Sequence, residues 1–161
     1  MNQLVIDLTQ PGTPSSDEIV RTYMTDVMTL HRGRPVPPED VDGALASEPY
    51  LDLQGETGAF LTAVEDGAGG YPVACVGVRF LGDVAELTKV FTRPGARGRG
   101  VSRQLIARVE ELCRERGIHT LRLDTHSRFA AACALYERLG FVQTAPHNDV
   151  SYADRWYAKQ L

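Results

Sequence analysis

The stretch best equipped for chemistry is VFTRPGARGRGVSRQLIARVEELCRERG, residues 90–117. A strand-like run enters a loop holding Gly95, Gly98 and Gly100, and that loop opens directly into an amphipathic helix. Glycines permit positive φ and close backbone approach. A helix start presents unpaired N–H groups at the positive end of its dipole. Together they form an anion cradle suited to a pyrophosphate, with Arg97 and Arg99 adding charge at its edge. Two nucleotide fingerprints fit poorly. A P-loop needs Lys followed by Ser or Thr after its glycines, and none follows here. A dinucleotide fingerprint begun at Gly98 and Gly100 would place Arg103 at its third glycine.

The elements that must hold this loop follow from periodicity. Residues 4–9 alternate as a short strand ended by Pro11-Gly12. A helix over residues 15–30, with Ser15 or Ser16 as its N-cap, carries Ile19, Val20, Tyr23, Val27 and Leu30 at helical spacing. A second, short helix starts near Pro38. Runs 59–65, 71–81 and 84–92 read as an antiparallel meander, turned by DGAGG and by LGD. Val101, Leu105, Ile106, Val109, Leu112 and Cys113 stripe a helix that stops at Gly117. A strand over 118–125, a helix over 129–139 ended by Gly140, and strands 141–145 and 151–161 complete the chain. The expectation is an α+β fold with a mixed sheet, built as a single domain over residues 1–161.

Composition narrows the function classes. The chain has 161 residues, 43% of them hydrophobic, enough for a core without a metal or disulfide staple. No apolar run approaches the roughly 20 residues of a membrane span. The start of the chain lacks signal-peptide character. Cys75, Cys113 and Cys133 are odd in number and lie far apart, as reduced thiols do. A cytoplasmic protein, without a membrane partner, is expected. The net charge of −4 divides unevenly, −9 over residues 1–66 and +5 over residues 67–161. No whole-chain basic footprint marks a nucleic-acid partner. The basic half suits an anion and the acidic half a cation. His31, His119 and His147 are isolated, and no Cys/His spacing marks a metal site.

Two blocks carry a family resemblance. Arg97-Gly98-Arg99-Gly100-Val101-Ser102 follows the pattern Gln/Arg-x-x-Gly-x-Gly/Ala, departing only at Ser102. Ala132-Cys133-Ala134-Leu135-Tyr136-Glu137-Arg138-Leu139-Gly140-Phe141 follows Ala-x-x-Leu-Tyr-Glu-x-Leu-Gly-Phe. With these motifs in this element order, the chain resembles the GNAT N-acetyltransferase superfamily from about residue 3 to its C-terminus. The resemblance implies a GNAT-like mixed central sheet of about seven strands flanked by about four helices. It implies acetyl-CoA as cosubstrate, with the backbone of Val90, Phe91 and Thr92 on the pantetheine arm. Arg97, Gly98, Arg99, Gly100, Val101 and Ser102 would hold the pyrophosphate. Tyr136 would contact the cofactor and serve as acid toward the CoA sulfur, the alternative being a core tyrosine packed on Phe141. An Asn that many members use falls here at Phe129, with Ser127 or Arg128 as stand-ins. Homodimers are frequent among such proteins.

Amide formation from a thioester needs a base for the ammonium and a proton for the thiolate. Glu86 is the first candidate base, since a carboxylate between Ala85 and Leu87 needs a reason. Period-2 counting places Glu86, Thr88 and Val90 on one face. Alternatives are an exposed Glu86 paired with Lys89 or Arg79, and His126 as the base. Tyr23, Glu39, Asp40, Asp42, Tyr152 and Trp156 are candidates to line an acceptor pocket. The expected activity is direct acetyl transfer from acetyl-CoA to a primary amine of a small molecule such as an amino acid or polyamine. Cys75 or Cys133 as acyl carrier would need a neighbouring base. The rival reading is a non-catalytic acyl-CoA-binding sensor or subunit, which the departures at Ser102 and Phe129 favour.

Overall fold

The first helix begins before Ser15 and Ser16, the expected caps. Thr13 is the N-cap: its hydroxyl oxygen accepts from Ser16 N at 3.3 Å. Pro14 follows at a position where a missing N–H costs nothing. Ser16, expected as a cap, instead donates its hydroxyl to the Gln10 carbonyl at 2.9 Å and is fully buried. The computed structural model describes residues 3–65 and 70–161. Of the expected DGAGG turn, residues 66–69 lie outside the described residues.

The elements are β1 (Leu4–Leu8), α1 (Pro14–Arg32), α2 (Pro38–Ser47), β2 (Gly58–Glu65), β3 (Pro72–Leu81) and β4 (Val84–Thr92). A 3₁₀ turn at Pro94–Ala96 leads to α3 (Val101–Glu115), β5 (Thr120–Thr125), α4 (Ala130–Arg138), β6 (Val142–Thr144) and β7 (Arg155–Gln160). The seven strands form one mixed sheet in the order β1-β2-β3-β4-β5-β7-β6. β1 to β4 are antiparallel neighbours, and the LGD turn between β3 and β4 places Gly82 at φ 79°. β4 and β5 run parallel, as the α3 crossover requires. The last strand is shorter than its sequence suggests, because Ser151–Ala153 form a turn that aims Asp154 at Ser127.

Alternation along the strands builds two cores. Ala59, Leu61 and Ala63, with Ala74, Val76 and Val78, pack with the inner faces of α3 and α4. Phe60 and Cys75 point the other way and join Ile19 and Val20 of α1 with Tyr50, Leu53 and Phe91. The sheet is therefore covered on both faces.

β4 breaks its alternation where the site will lie. Cys75 pairs with Phe91 but Gly77 pairs with Thr88, so β4 carries one extra residue. Lys89 absorbs it at φ 52°, the one non-glycine at positive φ among the described residues. This corrects the simple count: Val90 packs on the α3 face, while Thr88 lies over Gly77 against Leu53 on the α1 face. A bulge moves every later side chain to the opposite face.

Gly58 shows how closely the strands approach. A Cβ there would stand 2.5 Å from the Val78 carbonyl oxygen, a backbone atom that cannot rotate away. Gly58→Ala is expected to lower unfolding free energy by about 1–3 kcal/mol, measured by urea denaturation.

Candidate active site

The site exists because β4 and β5 part. They pair only over Val84–Glu86 and Thr120–Arg122, and beyond Glu86 the strands are not bonded to each other. From Leu87 on, β4 has a partner on its β3 side alone. Its other main-chain edge faces a cleft of about 1400 Å³. Single small-molecule sites run to roughly 300–1,000 Å³, so this one has room for a long ligand and a second one beside it. Val90, Phe91 and Thr92, expected to offer their backbone, all line it. An extended ligand can add to such an edge as a further strand would.

The cradle is open where β4 ends. Gly98 and Gly100 adopt φ 81° and 73°, and a Cβ on either would meet no atom within 4 Å. Gly100 is the N-cap of α3 and supplies no side-chain cap. The first helical bond is Gln104 N to Gly100 O at 3.1 Å. Among the described residues, no acceptor serves the N–H groups of residues 98–103. These orphan donors and the helix dipole favour an anion.

Both cradle arginines are already oriented. Arg97 Nε donates to the Thr92 carbonyl at 2.9 Å, and its guanidinium lies 3.6 Å from Asp26 of α1. Arg99 pairs with Glu65 at the end of β2. Half-exposed pairs such as Arg97–Asp26 are worth about 0–1 kcal/mol, too little to resist a phosphate. The departure at Ser102 has a visible consequence: its hydroxyl shares a 2.6 Å hydrogen bond with Thr92 Oγ1. That bond ties the first turn of α3 to the end of β4 and leaves the backbone donors free.

Tyr136 and Glu86 reach the same cleft from different elements. Tyr136, on α4, is 6% exposed and stacks edge-on against Phe141 at 5.8 Å. The ring belongs to the core, packed on Phe141, and the residue also lines the cleft. Its hydroxyl has no protein partner among the described residues, and burial raises its pKa, so the phenol stays protonated. Glu86 is half-buried and pairs with neither Lys89 nor Arg79. Its neighbour is Arg122 across the parallel pair, with Nε 3.6 Å from the carboxylate and no hydrogen bond of its own. Arg79 turns instead to Asp52 at 2.8 Å.

His126 is less free to act. Its Nδ1 accepts from Arg128 N at 3.1 Å, and its Nε2 lies 3.6 Å from Asp154. With Nδ1 accepting, Nε2 carries the proton and no lone pair remains for an ammonium proton. The stand-ins for Phe129 are committed elsewhere. Ser127 Oγ donates to Asp154 at 2.7 Å, and Arg128 donates to the His31 carbonyl at 2.6 Å. Phe129 itself lines the cleft. Cys75 is fully buried, which pushes its thiol up to about 12, and Cys133 directs its thiol to the His126 carbonyl at 3.6 Å. Among the described residues, no group of three His, Cys, Asp or Glu is placed to hold a metal, and no helix is long and apolar enough to cross a membrane.

The acceptor candidates divide. Tyr23 and Tyr152 line the cleft. Asp40 and Asp42 are spent on Arg32 and Arg21, and Trp156 Nε1 donates to Asn148 at 2.8 Å; none of these three, nor Glu39, reaches it. Residues that sequence reasoning passed over take their place: Glu48, Asp52, Arg79 and Lys89. The available signal was a lysine three residues after Glu86 in the same strand.

Comparison with known proteins gives a consistent result. Residues 24–141 match the acetyltransferase (GNAT) family. An IAA acetyltransferase of Azospirillum brasilense is 35% identical over 65 residues, 40% of this chain and 42% of that protein. A mycothiol acetyltransferase of Beutenbergia cavernae is 34% identical over 110 residues, 65% of this chain and 37% of that one. The chain thus spans about two fifths of the length of the curated relatives it matches. Among solved structures, a GNAT-family acetyltransferase of Staphylococcus aureus superposes with a TM-score of 0.76 at 20% identity, covering 98% of this chain and 99% of that one. The PaiA N-acetyltransferase of Thermoplasma acidophilum, in complex with coenzyme A, gives 0.73 at 16% identity over 98% and 99%.

The cradle can be tested directly. Gly100→Glu strains a left-handed position and places a carboxylate among the free N–H groups. It is expected to weaken CoA binding about tenfold or more by calorimetry, roughly 1.4 kcal/mol. An unchanged affinity would remove the cradle from the site.

Proposed function

The chain belongs to the acetyltransferase (GNAT) family, and from that premise we propose that it transfers an acetyl group from acetyl-CoA to a primary amine of a small molecule. The observation that carries this reading is a single cleft holding three things: the open N–H cradle, Glu86, and the Tyr136 hydroxyl, which has no partner among the described residues. The fit to a pyrophosphate-bearing thioester is good. The cradle offers donors to the phosphates, and the unpaired edge of β4 offers donors and acceptors to an amide-bearing arm.

Each residue has a role that its surroundings support. Glu86 takes the proton of the acceptor ammonium, directly or through water, so that the neutral nitrogen attacks the thioester carbonyl. The β4 backbone near Phe91 polarises that carbonyl as negative charge grows on its oxygen. The C–S bond breaks, Tyr136, kept protonated by burial, gives its proton to the departing thiolate, and the proton shed by the newly acylated nitrogen restores the phenol, directly or through water. The transfer is direct. Cys75 is too deeply buried and too weakly acidic to carry an acyl group.

Against a non-catalytic acyl-CoA-binding module stand Glu86 and Tyr136 in the same cleft, and the Ser102 departure no longer speaks for it, since its hydroxyl rests on Thr92 with the cradle still open. Mixing the protein with acetyl-CoA and an amine panel is expected to release free thiol. Tyr136→Phe is expected to slow that release about 10²-fold or more, with CoA affinity unchanged by calorimetry. Tight CoA binding without turnover on any amine would favour the module. Acetate trapped on a cysteine by acetyl-CoA alone would refute direct transfer.

A further inference from the structure

Lys89 is a buried charged side chain of the cleft that the proposed chemistry leaves unused. It is 3% exposed, lines the cleft on the α1 side, and holds its Nζ 5.9 Å from the centre of the Tyr23 ring. Among the described residues it has neither an ion-pair nor a side-chain hydrogen-bond partner; only its carbonyl is engaged, by the Cys75 thiol. The chain's other lysine, Lys159, shows the usual solution, pairing with Glu110 at 2.9 Å. The guanidinium groups nearby are likewise placed against acids, Arg79 on Asp52 and Arg122 beside Glu86.

A buried ammonium without a counter-ion is costly, and such groups are paired in stable interiors. Burial accordingly lowers the pKa of Lys89. The backbone adds to the cost, since Lys89 occupies a left-handed conformation that lysine rarely adopts. Strain of this kind persists where surrounding structure holds it, and it gathers at ligand sites. Glu48 and Asp52 border the same cleft and attract this charge without pairing with it, Asp52 being held by Arg79, so the ammonium stays open to an anion that enters the cleft. The phosphates of the thioester substrate are drawn to the cradle at the far end of β4, which leaves the acceptor.

We propose that Lys89 receives a carboxylate of the acceptor, so that the preferred amine is an amino acid or a related amine bearing an acidic group. This rests on the acetyl-transfer reading above. Glu86 and Lys89 stand three residues apart on one strand, roughly 10 Å of backbone at most, and both border the same cleft. A short molecule with an amine at one end and a carboxylate at the other matches that spacing of charges. A polyamine does not, because its second ammonium would approach Lys89.

The test compares acceptors that differ only in the carboxylate: 4-aminobutyrate against butylamine, and phenylalanine against phenethylamine, with thiol release as readout. In the wild-type protein the carboxylated member is expected to show a kcat/KM about tenfold or more higher. Lys89→Met keeps the straight chain and the same backbone strain but removes the charge, and it is expected to bring that ratio to about one. CoA binding by the same variant reports that the fold is kept. A wild-type ratio at or below one, or a ratio that survives Lys89→Met, overturns the assignment. If no amine releases thiol, the acetyl-transfer reading fails on its own. The carboxylate receptor is then judged by calorimetric titration of 4-aminobutyrate into the CoA-bound protein. Binding weakened about tenfold in Lys89→Met sustains it, and equal or absent binding in the wild type overturns it.

Discussion

The parting of β4 from β5 after Glu86 is the constraint on which the rest of the site depends. Paired to its end, the sheet would leave no cleft and no free strand edge. Because the pairing stops, side chains from both faces of the sheet enter one space: Tyr136 from α4 on one side, and Glu86 and Lys89 beside α1 on the other. A main-chain edge left facing such a space needs a partner, as buried N–H and C=O groups do. The same strand then delivers the chain to Gly98 and Gly100, so one element carries both the open edge and the anion cradle.

The charge pattern gains a location rather than a single meaning. Part of the acidic excess of residues 1–66 is met by arginines from the basic part of the chain, Arg79 on Asp52 and Arg93 on Glu18. Two of its acids reach the cradle, where Asp26 and Glu65 hold Arg97 and Arg99 in place. The charges left for ligands are fewer and more specific than a net of −9 suggests. They include Glu86, beside an Arg122 Nε that makes no hydrogen bond, and Lys89, whose ammonium has no ion-pair partner among the described residues.

Much of the architecture was legible in the sequence. The meander, the α3 stripe and the Gly117 stop follow from period and turn chemistry among adjacent residues. So does the loop before α3, where Gly98 and Gly100 adopt the positive φ that their type suggested, while Gly95 sits in the 3₁₀ turn without it. The errors share a cause. Thr13 displaced two serines as the cap of α1 because the hydroxyl of Ser16 found the Gln10 carbonyl, a choice that depends on how the preceding loop folds back. Glu86 found Arg122, which lies far along the chain but opposite it across the parallel pair. Asp40, Asp42 and Trp156 had suitable chemistry for an acceptor pocket, but they are turned toward other partners.

By itself, then, the sequence determined which segments are strands and helices, their order, and the glycine-rich loop that opens α3. These are properties of neighbouring residues. Only the tertiary structure decided which side chains share the cleft. The bulge at Lys89 reverses the facing of everything after it, and its place is set by register against β3. The pairing of Glu86 and the isolation of Lys89 depend on strands and helices remote in the chain. Facing and partnership are relations between elements, and a local pattern carries no record of them.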